Sequence, residues 1–178
     1  MRFLRSLTSI LDRRSIVALL LAVFLPMTID GCGFRLRGSL TEAVDLPPTH
    51  VKTQSLVSLK SVLERALKNA NVSLVANEND AELVIVLVSE RKSRRVLSVT
   101  SSGKAQEYEL HYAVVFGAHD KKGNAVVSNQ TVQSDRDFTF SETDVLAKDV
   151  EEKRLYSDMQ QSAVNSILLR VQAKLAKR

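Results

Sequence analysis

Leu83-Val84-Ile85-Val86-Leu87-Val88 is the stretch on which the fold turns. Six apolar residues rich in branched side chains are too short for a good helix and read as the start of a buried strand, which the sequence allows to run on to Thr100. Ser101-Ser102-Gly103-Lys104 is a turn. Beyond it Tyr108, Leu110, Tyr112, Val114 and Phe116 alternate with Glu107, Glu109 and His111, the pattern of a half-buried strand. Asp120-Lys121-Lys122-Gly123-Asn124 is a second hairpin turn, and from Ala125 to Phe140 Val127, Asn129, Thr131 and Gln133 alternate against Val126, Ser128, Gln130 and Val132. Three long antiparallel strands are predicted.

Upstream, Val51 to Val57 is expected to form a first strand. Ser61-Val62-Leu63-Glu64 has the spacing of a capping box. Leu59, Val62, Leu63, Ala66, Leu67 and Ala70 recur at helical intervals, with Asn69 and Asn71 as stop residues. Downstream, from Ser141, Leu155, Met159, Ala163, Ile167, Val171 and Leu175 are spaced by four and predict a long amphipathic helix. The order β-α-β-β-β-α places the chain in the α+β class, a two-layer sandwich with two helices packed on one face of a mostly antiparallel four-stranded sheet.

The N-terminus has a different character. Arg2, Arg5, Arg13 and Arg14 precede the apolar run Ile16 to Leu25 and Pro26, the layout of an export signal. The run falls short of the roughly 20 apolar residues that cross a bilayer. Ile29-Asp30-Gly31-Cys32 resembles a bacterial lipobox, although Asp30 stands where a small or apolar residue is usual. That resemblance implies removal of residues 1–31, an S-diacylglycerol thioether on Cys32 and acylation of the freed amine, with no other cofactor. Cys32 is the only cysteine, so an exported chain could form no internal disulfide. Gly33 follows it; in lipoproteins of enteric-like bacteria an Asp there favours retention in the inner membrane, so by resemblance the outer membrane is expected. Residues 32–49, with Gly33, Gly38, Pro47 and Pro48, are expected to be a lipidated, extended tether. Residues 50–178 are expected to be a single α+β domain.

Composition narrows the function classes. Four of the 25 basic and two of the 20 acidic residues lie in the leader, leaving 21 against 18, a net charge of +3. With no Trp and no basic-aromatic interleaving, nucleic acid is not an expected partner. His50, His111 and His119 show no metal-ligand spacing and no motif that would supply a base to a serine nucleophile, and no glycine-rich phosphate loop is present. No enzyme, no catalytic residue and no metal site is expected. The distinctive feature is Arg91-Lys92-Ser93-Arg94-Arg95, with Lys104 across the turn. Alternation puts Arg91 and Arg95 on one face, Lys92 and Arg94 on the other. Two readings stand for it: charge that guards a strand edge against aggregation, or a site for an anionic ligand such as a lipid phosphate.

Taken together, the lipobox, the following Cys32-Gly33-Phe34-Arg35-Leu36-Arg37 and the element order resemble the LptE family of lipopolysaccharide-assembly lipoproteins. Ala105-Gln106-Glu107-Tyr108 and Leu146-Ala147-Lys148-Asp149 also resemble family sequences. The resemblance implies a non-enzymatic outer-membrane protein that plugs an LptD-like β-barrel and helps place lipopolysaccharide in the outer leaflet. It further implies lipopolysaccharide contact through basic residues. Lys148 falls on one such position; the other is Ser101 here, so Arg94, Arg95 or Lys104 would have to supply the charge, with Arg91 in the same basic run. The competing reading is an auxiliary lipoprotein of another lipid or solute transport system.

Overall fold

The computed structural model describes residues 44–55, 57–140 and 144–177. The lipobox, Cys32 and the Gly33–Arg37 stretch lie outside them. Seven elements follow in order: β1 (Thr49–Thr53), α1 (Leu59–Asn69), a 3-10 turn (Glu78–Asp80), β2 (Leu83–Val99), β3 (Ala105–Asp120), β4 (Ala125–Thr139) and α2 (Val145–Leu175). The strands form one sheet in the order β1-β2-β3-β4. β1 is parallel to β2, and the β2–β3 and β3–β4 pairs are antiparallel hairpins.

Both hairpin turns close through a glycine in the left-handed region, Gly103 at φ 79° and Gly123 at φ 80°, a conformation that a Cβ disfavours. Asp120 adds a side-chain lock, accepting hydrogen bonds from the amides of Lys122 and Asn124, both at 2.9 Å.

Leu83, Ile85 and Leu87 of β2 and Leu110, Tyr112, Val114 and Phe116 of β3 point to one face. There they meet Leu59, Leu63 and Leu67 of α1 and Met159, Val164, Ile167, Leu168 and Val171 of α2. The two-layer α+β sandwich expected from the sequence is the fold observed. The intervening β2 residues Val84 and Val86 pack on the opposite face with Ala81, Val75 and Val88. Burial on both faces explains why this half of β2 is apolar without alternation. Val44 and Leu46, at the start of the described chain, are buried in the main core.

Three local expectations are corrected. The first strand spans Thr49–Thr53 rather than Val51–Val57; after Thr53 the Gln54 amide makes one last bond to Leu87 O (3.0 Å) before the chain turns into α1. Ser61 does not cap α1 but lies inside it, donating to Ser58 O at 3.3 Å. Ser58 itself is αR and makes no side-chain cap; the Glu90 carboxylate of β2 accepts instead from the amides of Ser58 (2.5 Å) and Leu59 (3.2 Å). The alternation expected along β4 is broken, because Ala118 pairs with Val127 while Phe116 pairs with Gln130, leaving Ser128 and Asn129 opposite Gly117. This bulge turns Val127 and Val132 into the same core, on one face rather than two.

The C-terminus of α1 follows the stop signal. Asn71 adopts φ 58°, and the amides of Val72 and Asn71 bond to the carbonyls of Leu67 and Lys68, each at 3.0 Å. This is a Schellman closure, and Val72 buries its side chain beside Leu67.

Candidate functional site

β1 pairs with β2 only as far as Thr53 opposite Leu87, so the remaining half of β2 carries its charges on a strand edge beyond β1, still faced on one side by α2. A register shift between Leu87 and Ser89 sets the faces of this edge. Glu90, Lys92 and Arg94 share the face of their cross-strand partners Val114, Tyr112 and Leu110, toward the helices. Arg91, Ser93 and Arg95 lie on the open face. The division of the basic run expected from alternation is the one observed.

On the helix side, Glu90 is the centre of a polar network that sequence reasoning missed. Its side chain is only 6% exposed. Besides the two α1 amides it accepts from Tyr112 OH and Gln160 Nε2, each at 2.9 Å, joining β2, β3, α1 and α2. Burial pushes this carboxyl up, but the hydrogen bonds from Gln160, Tyr112, Ser58 and Leu59 outweigh it and hold Glu90 below the usual carboxylate range. Burial, with the adjacent carboxylate, drives the Tyr112 hydroxyl upward. Lys92 Nζ lies 3.8 Å from Glu90 Oε1 and about 6 Å over the rings of Tyr112 and Tyr156. Arg94 stacks over Tyr108 at 4.6 Å and pairs with Glu152 of α2 at 2.8 Å.

On the open face polar side chains pair across strands. Arg95 grips Glu109 through two nitrogens, at 2.6 and 3.0 Å, and His111 Nδ1 sits 2.6 Å from Asp135. With Ser93 these four line a shallow depression of about 380 Å³. Ser93 stands opposite His111 in the β2–β3 register, yet among the described residues no hydrogen bond joins its hydroxyl to the imidazole. The row therefore lacks the contact through which a histidine would activate a serine.

Lys148, in the second turn of α2, pairs with Glu151 at 2.8 Å. It borders a second depression of about 290 Å³ with Glu107, Asp137, Phe138 and Thr139. Since Glu107 is the register partner of Ser98, Lys148 lies at the same end of the domain as the β2–β3 hairpin. The fold thus brings Arg94, Arg95 and Lys148 to one end, each already matched by a carboxylate. Lys104 follows the hairpin turn and, like Ser101, is exposed. Arg91 is exposed and makes no ion pair among the described residues, which leaves it open to an added anion.

The other histidines sit at the opposite end. His50 Nδ1 is 3.0 Å from Val75 O, and His119 is 3.8 Å from Glu78, which Lys52 also binds at 2.7 Å. The Lys52 hydrogen bond lowers the Glu78 carboxyl from its ordinary value. Among the described residues no cluster of His, Cys, Asp or Glu could hold a metal. A further feature unsignalled by sequence is apolar: Val96, Leu97, Val99, Val145, Leu146 and Val150 are all exposed, and all lie at the hairpin end.

Known proteins bear on this architecture directly. A model of the LptE family, described as Lipopolysaccharide-assembly, matches residues 41–171. The LPS-assembly lipoprotein LptE of Photorhabdus laumondii is 26% identical over 157 residues, covering 88% of this chain and 85% of that one. The solution structure of lipoprotein B from Nitrosomonas europaea superposes with a TM-score of 0.68 at 30% identity, covering 81% of this chain and 93% of that one. Rare lipoprotein B from Shewanella oneidensis shares the fold, with a TM-score of 0.63 at 24% identity over 73% of this chain and 97% of its own. A family match over most of the folded region, a relative aligned over 85% of its length and the same two-layer architecture agree: this chain belongs to the LptE family of lipopolysaccharide-assembly proteins.

Proposed function

We propose that this chain is a non-enzymatic outer-membrane lipoprotein that plugs an LptD-like β-barrel and assists it in placing lipopolysaccharide in the outer leaflet. The observation that carries this reading is the family match spanning residues 41–171. In this proposal residues 1–31 are removed as a signal peptide and Cys32 carries the lipid anchor; the tether expected over residues 32–49 gives way to the folded domain by Val44, because Val44 and Leu46 are buried in its core and β1 begins at Thr49. The open sheet face supports the plug role physically. Its cross-strand contacts, Arg95 with Glu109 and His111 with Asp135, present a polar surface, suited to the water-lined interior of a wide barrel.

Lipopolysaccharide contact is assigned to Arg91, Arg94, Arg95, Lys104 and Lys148. Ion pairing ranks them. Arg91 binds an added phosphate without breaking an existing pair, whereas Arg94, Arg95 and Lys148 must first share or release Glu152, Glu109 and Glu151. Extraction in mild detergent tests the partner: a large β-barrel should accompany the chain. Recovery of an inner-membrane transport complex in its place would refute the assignment. Reversal of each basic residue to Glu tests the ligand, with the largest loss of lipopolysaccharide binding expected for Arg91→Glu. Unchanged binding in all five variants would remove these residues from the site.

A further inference from the structure

The edges of the sheet are finished differently. The outer edge of β1 is bridged at Thr49 by Leu74. β4 has no neighbour beyond it among the described residues, but Arg170 of α2 reaches over it and donates to Gln130 Oε1 (2.9 Å) and to the Thr131 carbonyl (3.3 Å). Past Thr53, β2 itself becomes an edge, and residues 91 to 97 are all exposed. In a strand the face of a side chain and the direction of its own N–H and C=O are locked together, so residues that share a face bond to the same side. Leu83 and Leu87 face the helices and bond toward β1, where the Leu83 amide donates to Pro48 O and Leu87 O accepts from the Gln54 amide. Lys92 and Arg94 share that face, as does Val96 opposite Tyr108. Their amides and carbonyls therefore point outward, and among the described residues no hydrogen bond reaches them from that side.

We propose that the β2 edge from Lys92 to Val96 takes on one further strand, supplied by an extended acidic segment of a partner polypeptide. At about 3.3 Å per residue this edge is roughly 17 Å long, the length of an ordinary strand. Main-chain pairing along such an edge supplies affinity, and the flanking side chains supply selectivity. Here the flanks are basic on both faces, Arg91 and Arg95 on one, Lys92 and Arg94 on the other. Lys92, Arg94 and Arg95 lie beside Glu90, Glu152 and Glu109, whereas Arg91 makes no ion pair among the described residues. The edge thus keeps one positive charge uncovered, and carboxylates on the added strand complement it. A second copy of the same edge is refused. Antiparallel pairing of two such edges about Ser93 sets Arg91 against Arg95 and Lys92 against Arg94, and like charges directly opposite destabilise a sheet. The basic run therefore closes the edge to itself, as charged edge residues do, and leaves it open to an acidic strand. This inference goes beyond the proposed function and requires neither a barrel nor lipopolysaccharide.

The test uses the full chain in detergent and short synthetic peptides with blocked ends, one alternating Thr and Glu, the other Thr and Lys. Amide exchange is followed residue by residue by nuclear magnetic resonance. With the Glu peptide at millimolar concentration the Lys92, Arg94 and Val96 amides should slow at least about tenfold, while those of Arg91, Ser93 and Arg95, already directed at β3, keep their rates. That period of two marks an added strand and is not produced by ion pairing of side chains alone. The Lys peptide should have no effect, and Arg91→Glu should weaken binding of the Glu peptide at least about twofold. Absence of slowing overturns the proposal, as does equal slowing at both sets of amides. Equal slowing by the Lys peptide, or by a Glu peptide whose amides are all N-methylated and which keeps its charge but loses its donors, overturns it too. Slowing that needs no peptide and rises with protein concentration would make a second copy the occupant, and the acidic-strand proposal would fall.

Discussion

Replacing Glu90 with alanine removes the acceptor of five donors at once: the amides of Ser58 and Leu59, the Ser58 hydroxyl, Tyr112 OH and Gln160 Nε2. The magnitude can be built from the parts. Loss of the acceptor at the α1 N-terminus costs about 1 kcal/mol, as for an ordinary N-cap. The Tyr112 hydroxyl, on a fully buried residue, loses its partner at a further cost of about 1–3 kcal/mol. Gln160 is more exposed and turns to water at little cost. The total, about 2–4 kcal/mol, is a large share of the roughly 5–15 kcal/mol that holds a domain folded. At a urea slope of about 2 kcal/mol/M the midpoint falls by roughly 1–2 M without a change in slope. With no Trp in the chain, far-ultraviolet circular dichroism is the suitable probe. Tyr112→Phe in the Glu90→Ala background should recover part of the loss by removing the orphaned hydroxyl. A midpoint within about 0.3 M of the parent, which at that slope is well under 1 kcal/mol, would refute the view that Glu90 ties the helices to the sheet. The pH dependence follows in sign. Because the folded carboxyl titrates below its ordinary value of 4.5, its contribution is fully present above the unfolded value and lost as pH falls through the folded one. Acid unfolding of Glu90→Gln should therefore begin from a lower stability but fall less steeply over that interval.

Gly117→Ala should destabilise by about 1 kcal/mol, at the low end for overpacking, because a Cβ there meets the Asn129 side chain and lies 3.3 Å from Val127 O; Asn129→Ala in the same chain should relieve part of the loss in a melting experiment. Asn71→Gly should leave stability within about 0.5 kcal/mol, whereas Asn71→Val should cost about 1–2 kcal/mol, since φ 58° excludes a β-branched residue. Leu63→Ala, at a fully buried α1 position, should cost about 2–5 kcal/mol by equilibrium unfolding. Neutralising Arg91 and Arg94 together should move the melting midpoint little, since exposed ion pairs contribute about 0–1 kcal/mol, while lowering lipopolysaccharide binding; a large stability loss would reassign the edge's charges to a structural role.

What was legible in the sequence was local. Tyr108 to Phe116 alternate without interruption and form the strand so predicted, and the four-residue spacing from Leu155 to Leu175 marks the helix that covers it. Turn residues placed both hairpins, because Gly103 and Gly123 supply a backbone conformation that few neighbours can adopt. What stayed hidden depended on residues far apart in the chain. The partner of the α1 amides lies 31 and 32 residues downstream, so a nearby Ser and Glu with the spacing of a capping box stood in for the true acceptor. The β4 bulge leaves no composition signal, since Val127 and Val132 fit either face until Gly117 is set opposite Ser128 and Asn129. The basic run was visible as charge, and its two faces were assigned correctly. Its neutralisation was not, because Glu152 is 58 residues from Arg94. Cys32 and its surroundings were read wholly from motif.

One feature, the early end of β1, divides the domain mechanically. Up to Leu87 the β2 strand is hydrogen-bonded on both sides; from Ser89 to Val99 its only strand neighbour among the described residues is β3. At about 3.3 Å per residue that leaves an edge more than 30 Å long, backed by β3 and β4 and held to α2 through Arg94–Glu152 and the Tyr156 hydroxyl on Ser93 O. Its outward backbone groups lack a strand partner, so amide hydrogens along this edge should exchange faster than those between Leu83 and Leu87, where β2 is paired on both sides.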